Sequence, residues 1–161
     1  MPYELYSKYD NYIISREYNP SGIKSRIDLA IIENNQIKDI IELKSMYTFD
    51  SADMSGYINA INKDFNKNSK LVINGVNQYE IIIATHIKAV PNKEFKEYVK
   101  YYRLIDKHTS NIENSKMLVD NLDYIIRKEF SRERYEIKNF NITHGQAFGV
   151  DVDVWFWVVK K

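Results

Sequence analysis

Asp28, Glu42 and Lys44 are the residues whose types and spacing point to chemistry. Glu42 and Lys44 stand two apart in the apolar run from Ile37 to Lys44, and Asp28 stands in a second such run, Arg26 to Ile32. If each run is a strand, Glu42 and Lys44 share a face while Ile41 and Leu43 point the other way, into apolar surroundings. Charges inside hydrophobic strands are costly unless a partner or a metal ion compensates them. Two carboxylates offer hard oxygen ligands to Mg²⁺, with Mn²⁺ as a substitute, and the cation retains several waters. Such a metal polarises a phosphate and acidifies a bound water. The lysine either stabilises charge growing on the phosphate or, if burial lowers its pKa, accepts a proton from the water.

The elements must bring these side chains together. Asn34, Asn35 and Gln36 read as the turn of a hairpin, because asparagine tolerates positive φ. A two-residue turn and a regular ladder would place Asp28 opposite Ile41, on the wrong face. A three-residue loop places it opposite Glu42. The site therefore requires an odd-length loop or a bulge. Upstream, residues 3–18 read as a short helix leading into a strand that ends before Asn19-Pro20-Ser21-Gly22. Downstream, Met54, Tyr57, Ile58, Ile61 and Phe65 predict an amphipathic helix over 51–67, capped by Asp50 or Ser51. Tyr79–Thr85 reads as a buried strand. Pro91-Asn92 is expected to open a helix carrying Phe95, Val99, Tyr102 and Ile105. A helix over about 112–130 and strands near 134–142 and 149–159 complete the order. That order predicts an α/β fold with a central mixed sheet flanked by helices.

At these residues the chain resembles the PD-(D/E)XK, or restriction-endonuclease-like, nuclease superfamily. Arg26-Ile27-Asp28, a gap of thirteen residues and Glu42-Leu43-Lys44 follow its Asp…Glu-x-Lys signature, with Ile27 where many members have proline. The resemblance covers residues 4–86. It implies an αβββαβ core, here with extra C-terminal helices and strands, and Mg²⁺-dependent endonucleolytic cleavage of DNA. Asp28 and Glu42 would be metal ligands and Lys44 would stand beside the attacking water. Members often carry an upstream acid that helps to bind metal, and Glu17, ahead of Glu4, is the expected counterpart. A structure-selective nuclease of the junction-resolvase type, or an idle nuclease-like module binding nucleic acid or protein, are the alternatives.

Length and composition set the bounds. The 161 residues suit one nuclease-like domain over 1–161, and 44% hydrophobic with 28% charged residues is an ordinary globular balance. A formal net charge of +1 is low for a nucleic-acid binder. Lysines and arginines do gather locally, at Lys63, Lys67 and Lys70, from Lys93 to Arg103, and at Arg127, Lys128, Arg132 and Arg134. The chain has no cysteine, which excludes disulfides and thiolate zinc sites. No apolar run is long enough to span a bilayer and no secretory leader is evident, so a cytoplasmic location without a membrane partner is expected. Cutting both strands of DNA would call for a homodimer.

The last strand offers a second acidic pair. Asp151, Asp153, Trp155 and Trp157 alternate against Val150, Val152, Val154, Phe156 and Val158, with His144 upstream. An ordinary solvated face is the expectation. Extra metal ligands, or indoles stacking on bases or burying an interface between copies, are the alternatives. His86 follows the apolar strand and could lie near the site, though a structural or surface role is the expectation, and His108 is expected at a helix end, where a cation suits the dipole. Of Tyr98, Tyr101 and Tyr102, at least one should pack into the core, while the others could stack on nucleotides beside the lysines.

Overall fold

A computed structural model describes residues 5–6, 12–20, 26–110, 112–131 and 135–161. The first four strands, β1 (Leu5–Tyr6), β2 (Tyr12–Tyr18), β3 (Ile27–Glu33) and β4 (Gln36–Tyr47), form an antiparallel meander. A 3-10 turn at Thr48–Ala52 leads into helix α1 (Ser55–Lys67), and the short α2 (Ser69–Ile73) follows. Strand β5 (Asn77–Ile87) then returns parallel to β4, as a crossover through helices allows. Helices α3 (Tyr102–Thr109) and α4 (Ile112–Phe130) precede the hairpin of β6 (Glu136–Ala147) and β7 (Val150–Lys160). Strand β7 docks antiparallel on β5, so the described strands make one mixed sheet in the order β1-β2-β3-β4-β5-β7-β6. The fold is α/β, a mixed open sheet with helices against it.

The β3–β4 hairpin decides the register on which the site depends. Its turn has two residues, not three. Asn34 (φ 51°) and Asn35 (φ 61°) both adopt the left-handed conformation of a type I′ turn, and Gln36 already belongs to β4. An even turn alone would misplace Asp28. A bulge corrects it, since Ile32 faces Ile37 but Ile31 faces Asp39, leaving Lys38 as the extra residue. Beyond the bulge Ala30 faces Ile40 and Leu29 faces Ile41. Leu29–Ile41 is the last pair of this ladder, and the same register continued by one position would set Asp28 against Glu42.

The core lies on one side of the sheet. Ile61 and Phe65 of α1 and Leu122, Ile126 and Phe130 of α4 pack onto Ile82, Trp157 and Val159, all fully or almost fully buried. Full burial of one such side chain contributes roughly 1.5–3 kcal/mol. A smaller cluster of Ile27, Ile40 and Val76, with Leu71 of α2, seals the other end. The opposite sheet face is more open. Leu43 lies there exposed, contrary to the expected apolar surroundings, and Phe140 and Ile142 are also exposed.

Other expectations are revised. Leu5–Tyr6, expected in a short helix, is a strand paired with β2, and residues 1–4 and 7–11 lie outside the described residues. The acceptor at the start of α1 is Asp53, whose carboxylate takes the Ser55 amide at 3.1 Å; Asp50 instead takes the Tyr47 amide and the Tyr57 hydroxyl. No continuous helix runs from Pro91. After a 3-10 turn at Lys93–Phe95 the helix proper starts only at Tyr102. Between those points Phe95 and Val99 are only half-buried among exposed charges, and a helix without packing gains little. Tyr102 itself is buried, with its hydroxyl donating to the Pro91 carbonyl at 3.0 Å, whereas Tyr98 is exposed.

The β7 face that was expected to be solvated is the one α4 covers. Trp157 is 0% and Asp153 6% exposed, and the Trp157 indole donates to Asp123 of α4 at 2.8 Å. Trp155 stacks on Trp157 with centroids 6.2 Å apart. Only Asp151 of the set is exposed. The strict alternation was real, but it marked the core side of the strand.

Candidate functional site

A charged network lies buried between β4, β5 and the end of α1. Glu42 and Lys44 point to the helix side of β4, together with Ile40 and Met46. Glu80 sits beside Glu42 in the parallel ladder, so the two carboxyls share a face. Asp64, Lys67 and Asn68 approach from the last turn of α1, where the spacing 64, 67, 68 continues the buried stripe of Ile61 and Phe65.

The contacts are specific. Lys67 Nζ reaches Glu42 Oε1 at 2.8 Å and Asp64 Oδ1 at 2.9 Å. Lys44 Nζ pairs with the other oxygen of Asp64. Asn68 Nδ2 donates to Glu42 Oε1 at 3.0 Å, and Gln78 Nε2 donates to the Asp64 carbonyl at 3.0 Å. The Asp64 carbonyl also takes the Asn68 amide at 3.2 Å, so it accepts two bonds at the helix end.

The electrostatics follow from the count of charges. Two ammoniums, Lys44 and Lys67, face two carboxylates, Glu42 and Asp64, and no cation is left for Glu80. Glu80 is fully buried and neither of its oxygens meets a donor. Burial first, and then the Asp64 charge, push its pKa up to about 9. Burial also raises the pKa of Glu42, against the opposing bonds from Lys67 and Asn68. For Lys44 burial alone would lower the pKa, but the hydrogen bond and charge of Asp64, helped by Glu80 and Glu42, outweigh it and the pKa is raised. Lys44 therefore keeps its proton. Of the two roles open to it, charge stabiliser and proton acceptor, this environment favours the first.

Asp28 stands where the ladder opens. Its Oδ2 accepts the Leu43 amide at 2.8 Å, replacing a strand partner for that N–H. It is half-buried. Glu17 is drawn elsewhere. It has a left-handed backbone (φ 53°) between the Tyr18–Ile27 and Arg16–Leu29 pairs, and its exposed carboxylate pairs with Arg26. Glu4 lies outside the described residues. The structure thus gathers Glu42 and Lys44, ties Asp28 to the amide of the intervening Leu43 and leaves Glu17 on the surface. Among the described residues no three Asp, Glu or His side chains converge as a ready metal cage.

The sequence does not single out Asp64, Asn68, Gln78 or Glu80, and it shows Lys67 only as one of a local cluster of lysines. One signal was available. Gln78 and Glu80 share strand parity with Ile82 and Ala84, so a parallel β5 had to bury both polar groups beside Ile40 and Glu42.

A second concavity lies at the far end of β5. It has a volume of about 500 Å³, and His86, Lys88, Asp120, Asp153 and Trp155 contribute to its lining. His86 is buried, its Nδ1 lies 2.9 Å from the Thr48 hydroxyl, and Lys88 holds Asp153 at 2.9 Å. His108, in the last turn of α3, stacks on Phe49. The His144 side chain, Arg132 and Arg134 lie outside the described residues. Among those described, no helix is long and apolar enough to cross a membrane. No family model, no curated protein and no solved structure matches the chain.

Proposed function

We propose that the chain is a metal-dependent endonuclease that hydrolyses DNA phosphodiester bonds on a restriction-endonuclease-like core. The observation that carries this reading is the Lys38 bulge, which shifts an even hairpin into a register whose continuation past Leu29–Ile41 would bring Asp28 to the face of Glu42. The order β2-β3-β4, α1, parallel β5 also follows the strand–strand–strand–helix–strand part of the αβββαβ pattern. The carboxylate oxygens of Asp28 and Glu42 are hard donors that fit a hard cation.

Asp28 and Glu42 would hold Mg²⁺, or Mn²⁺ in its place. When bound, the cation supplies a Lewis acid and an acidified water. The chain's own groups do the rest. Lys67 and Asn68 fix the Glu42 carboxylate, and Asp64 aims the Lys44 ammonium. Lys44, still protonated, would offer positive charge to an incoming phosphate. A second copy of the chain would supply the second cut in duplex DNA.

The closed Lys44–Asp64 pair favours a second reading, an idle nuclease-like module that binds nucleic acid or protein. Purified protein incubated with plasmid, linear and branched DNA and Mg²⁺ or Mn²⁺ separates the two. Cleavage that Lys44→Ala lowers by about 10² or more supports the enzyme. A preference for the branched substrate would assign it to the junction-resolvase type. Absence of cleavage with either metal leaves the idle module, and cleavage unchanged in Lys44→Ala removes the proposed mechanism.

A further inference from the structure

Four buried oxygens around the charged network accept nothing: Asn68 Oδ1, Gln78 Oε1 and both oxygens of Glu80. The three residues carrying them are 0% exposed. Their orientation is not arbitrary. The amide nitrogen of Asn68 is committed to Glu42 and that of Gln78 to the Asp64 carbonyl, which fixes the oxygens as the free ends. The two amide oxygens are therefore acceptors, and both Glu80 oxygens become acceptors when the carboxyl gives up its proton. Gln78 and Glu80 alternate on one face of β5, while Asn68 sits on Glu42, the ladder neighbour of Glu80. With Glu80 ionised the network would hold three carboxylates against two ammoniums, an excess of negative charge in a dry site.

We infer that Glu80, Gln78 and Asn68 form a divalent-cation site of their own at the buried side of the network, separate from any cation carried by Asp28. Carboxylate and amide oxygens are the ligand set of hard ions such as Mg²⁺, Mn²⁺ and Ca²⁺. Such an ion would give the four oxygens a partner and balance the third carboxylate. It would also tie β5 to the end of α1. The site does not depend on DNA cleavage, since its evidence is the set of oxygens and not the Asp…Glu-x-Lys spacing.

The test counts Mn²⁺ bound to the full chain from the loss of its free-ion resonance signal, with thermal melting in parallel. Wild type should bind Mn²⁺ and melt higher with it, and Ca²⁺ should compete. Glu80→Gln, which matches the neutral acid in shape, should weaken one bound equivalent by at least about tenfold and lose the thermal gain. Asp28→Asn should retain that equivalent. Should Glu80→Gln fail to fold, Gln78→Met carries the same comparison. Wild type that binds no Mn²⁺, or a Glu80→Gln chain that binds it as tightly as wild type, would mean that water alone serves these oxygens and overturns the inference. Loss of all Mn²⁺ on Asp28→Asn overturns it too, while sparing the nuclease reading, which stands or falls on cleavage.

Discussion

Lys67 joins the two buried carboxylates, reaching Glu42 and Asp64 from the last turn of α1, where a cation also suits the helix dipole. Removing it leaves Glu42, 3% exposed, with a charge and only the Asn68 amide against it. Breaking a buried pair costs about 3–5 kcal/mol, and the partial exposure of Lys67 reduces that, so Lys67→Met should destabilise by about 2–3 kcal/mol in urea unfolding at pH 7. A change within about 0.5 kcal/mol would mean that the network is effectively solvated. His86 gives a pH dependence. Burial lowers its pKa from the usual 6.5, against the Asp153 charge. As pH falls below 6.5 the unfolded chain gains a proton that the folded chain refuses until lower pH, so this contribution to stability is present above 6.5 and lost below it. The melting temperature of wild type should therefore drop more between pH 7.5 and 5.5 than that of His86→Gln, and parallel curves would contradict this. At this scale the sequence was half legible. Glu42 and Lys44 were readable because alternation alone puts them on one face. Asp64 was not, since its role arises where α1 meets β4, a contact between elements that no local pattern encodes, and for Glu80 strand parity signalled burial but not the neighbouring Glu42.

The β3–β4 hairpin shows what an element adds. Asparagines at 34 and 35 signalled the turn, but its length and the extra residue at Lys38 came from different demands. The turn must match strand twist, which a two-residue type I′ does, and the bulge then restores the face that burial requires. Either choice alone puts Asp28 on the wrong side, and sequence periodicity constrains only their combination. Asp28→Ala should free the Leu43 amide from a charged acceptor and speed its hydrogen exchange by an amount corresponding to about 1.5 kcal/mol or more. Unchanged protection of Leu43 would show that the opening of the ladder is closed by something else. Helix α4 was legible end to end, and β5 in its apolar middle, Tyr79–Thr85, though the strand runs from Asn77 to Ile87. The segment after Pro91 was not, because its helical spacing has too little apolar surface beneath it to hold a helix.

The whole molecule is a sheet with unequal sides, one packed under α1 and α4, the other carrying exposed Leu43, Phe140 and Ile142. Substitutions should respect that asymmetry. Trp157→Ala should cost about 3–5 kcal/mol of unfolding free energy, whereas Ile142→Thr should stay within about 0.5 kcal/mol. Comparable costs would place the core elsewhere. The same asymmetry explains why strand parity in β7 was readable but its inside was not, for only the docking of α4 decides which face is dry. One practical consequence follows from the indoles. The chain's two tryptophans lie stacked beneath α4, one of them bonded to it. Their ultraviolet emission is therefore a built-in gauge of whether that helix is seated, and ion-driven tightening of the sheet could be followed by its colour without attaching any dye.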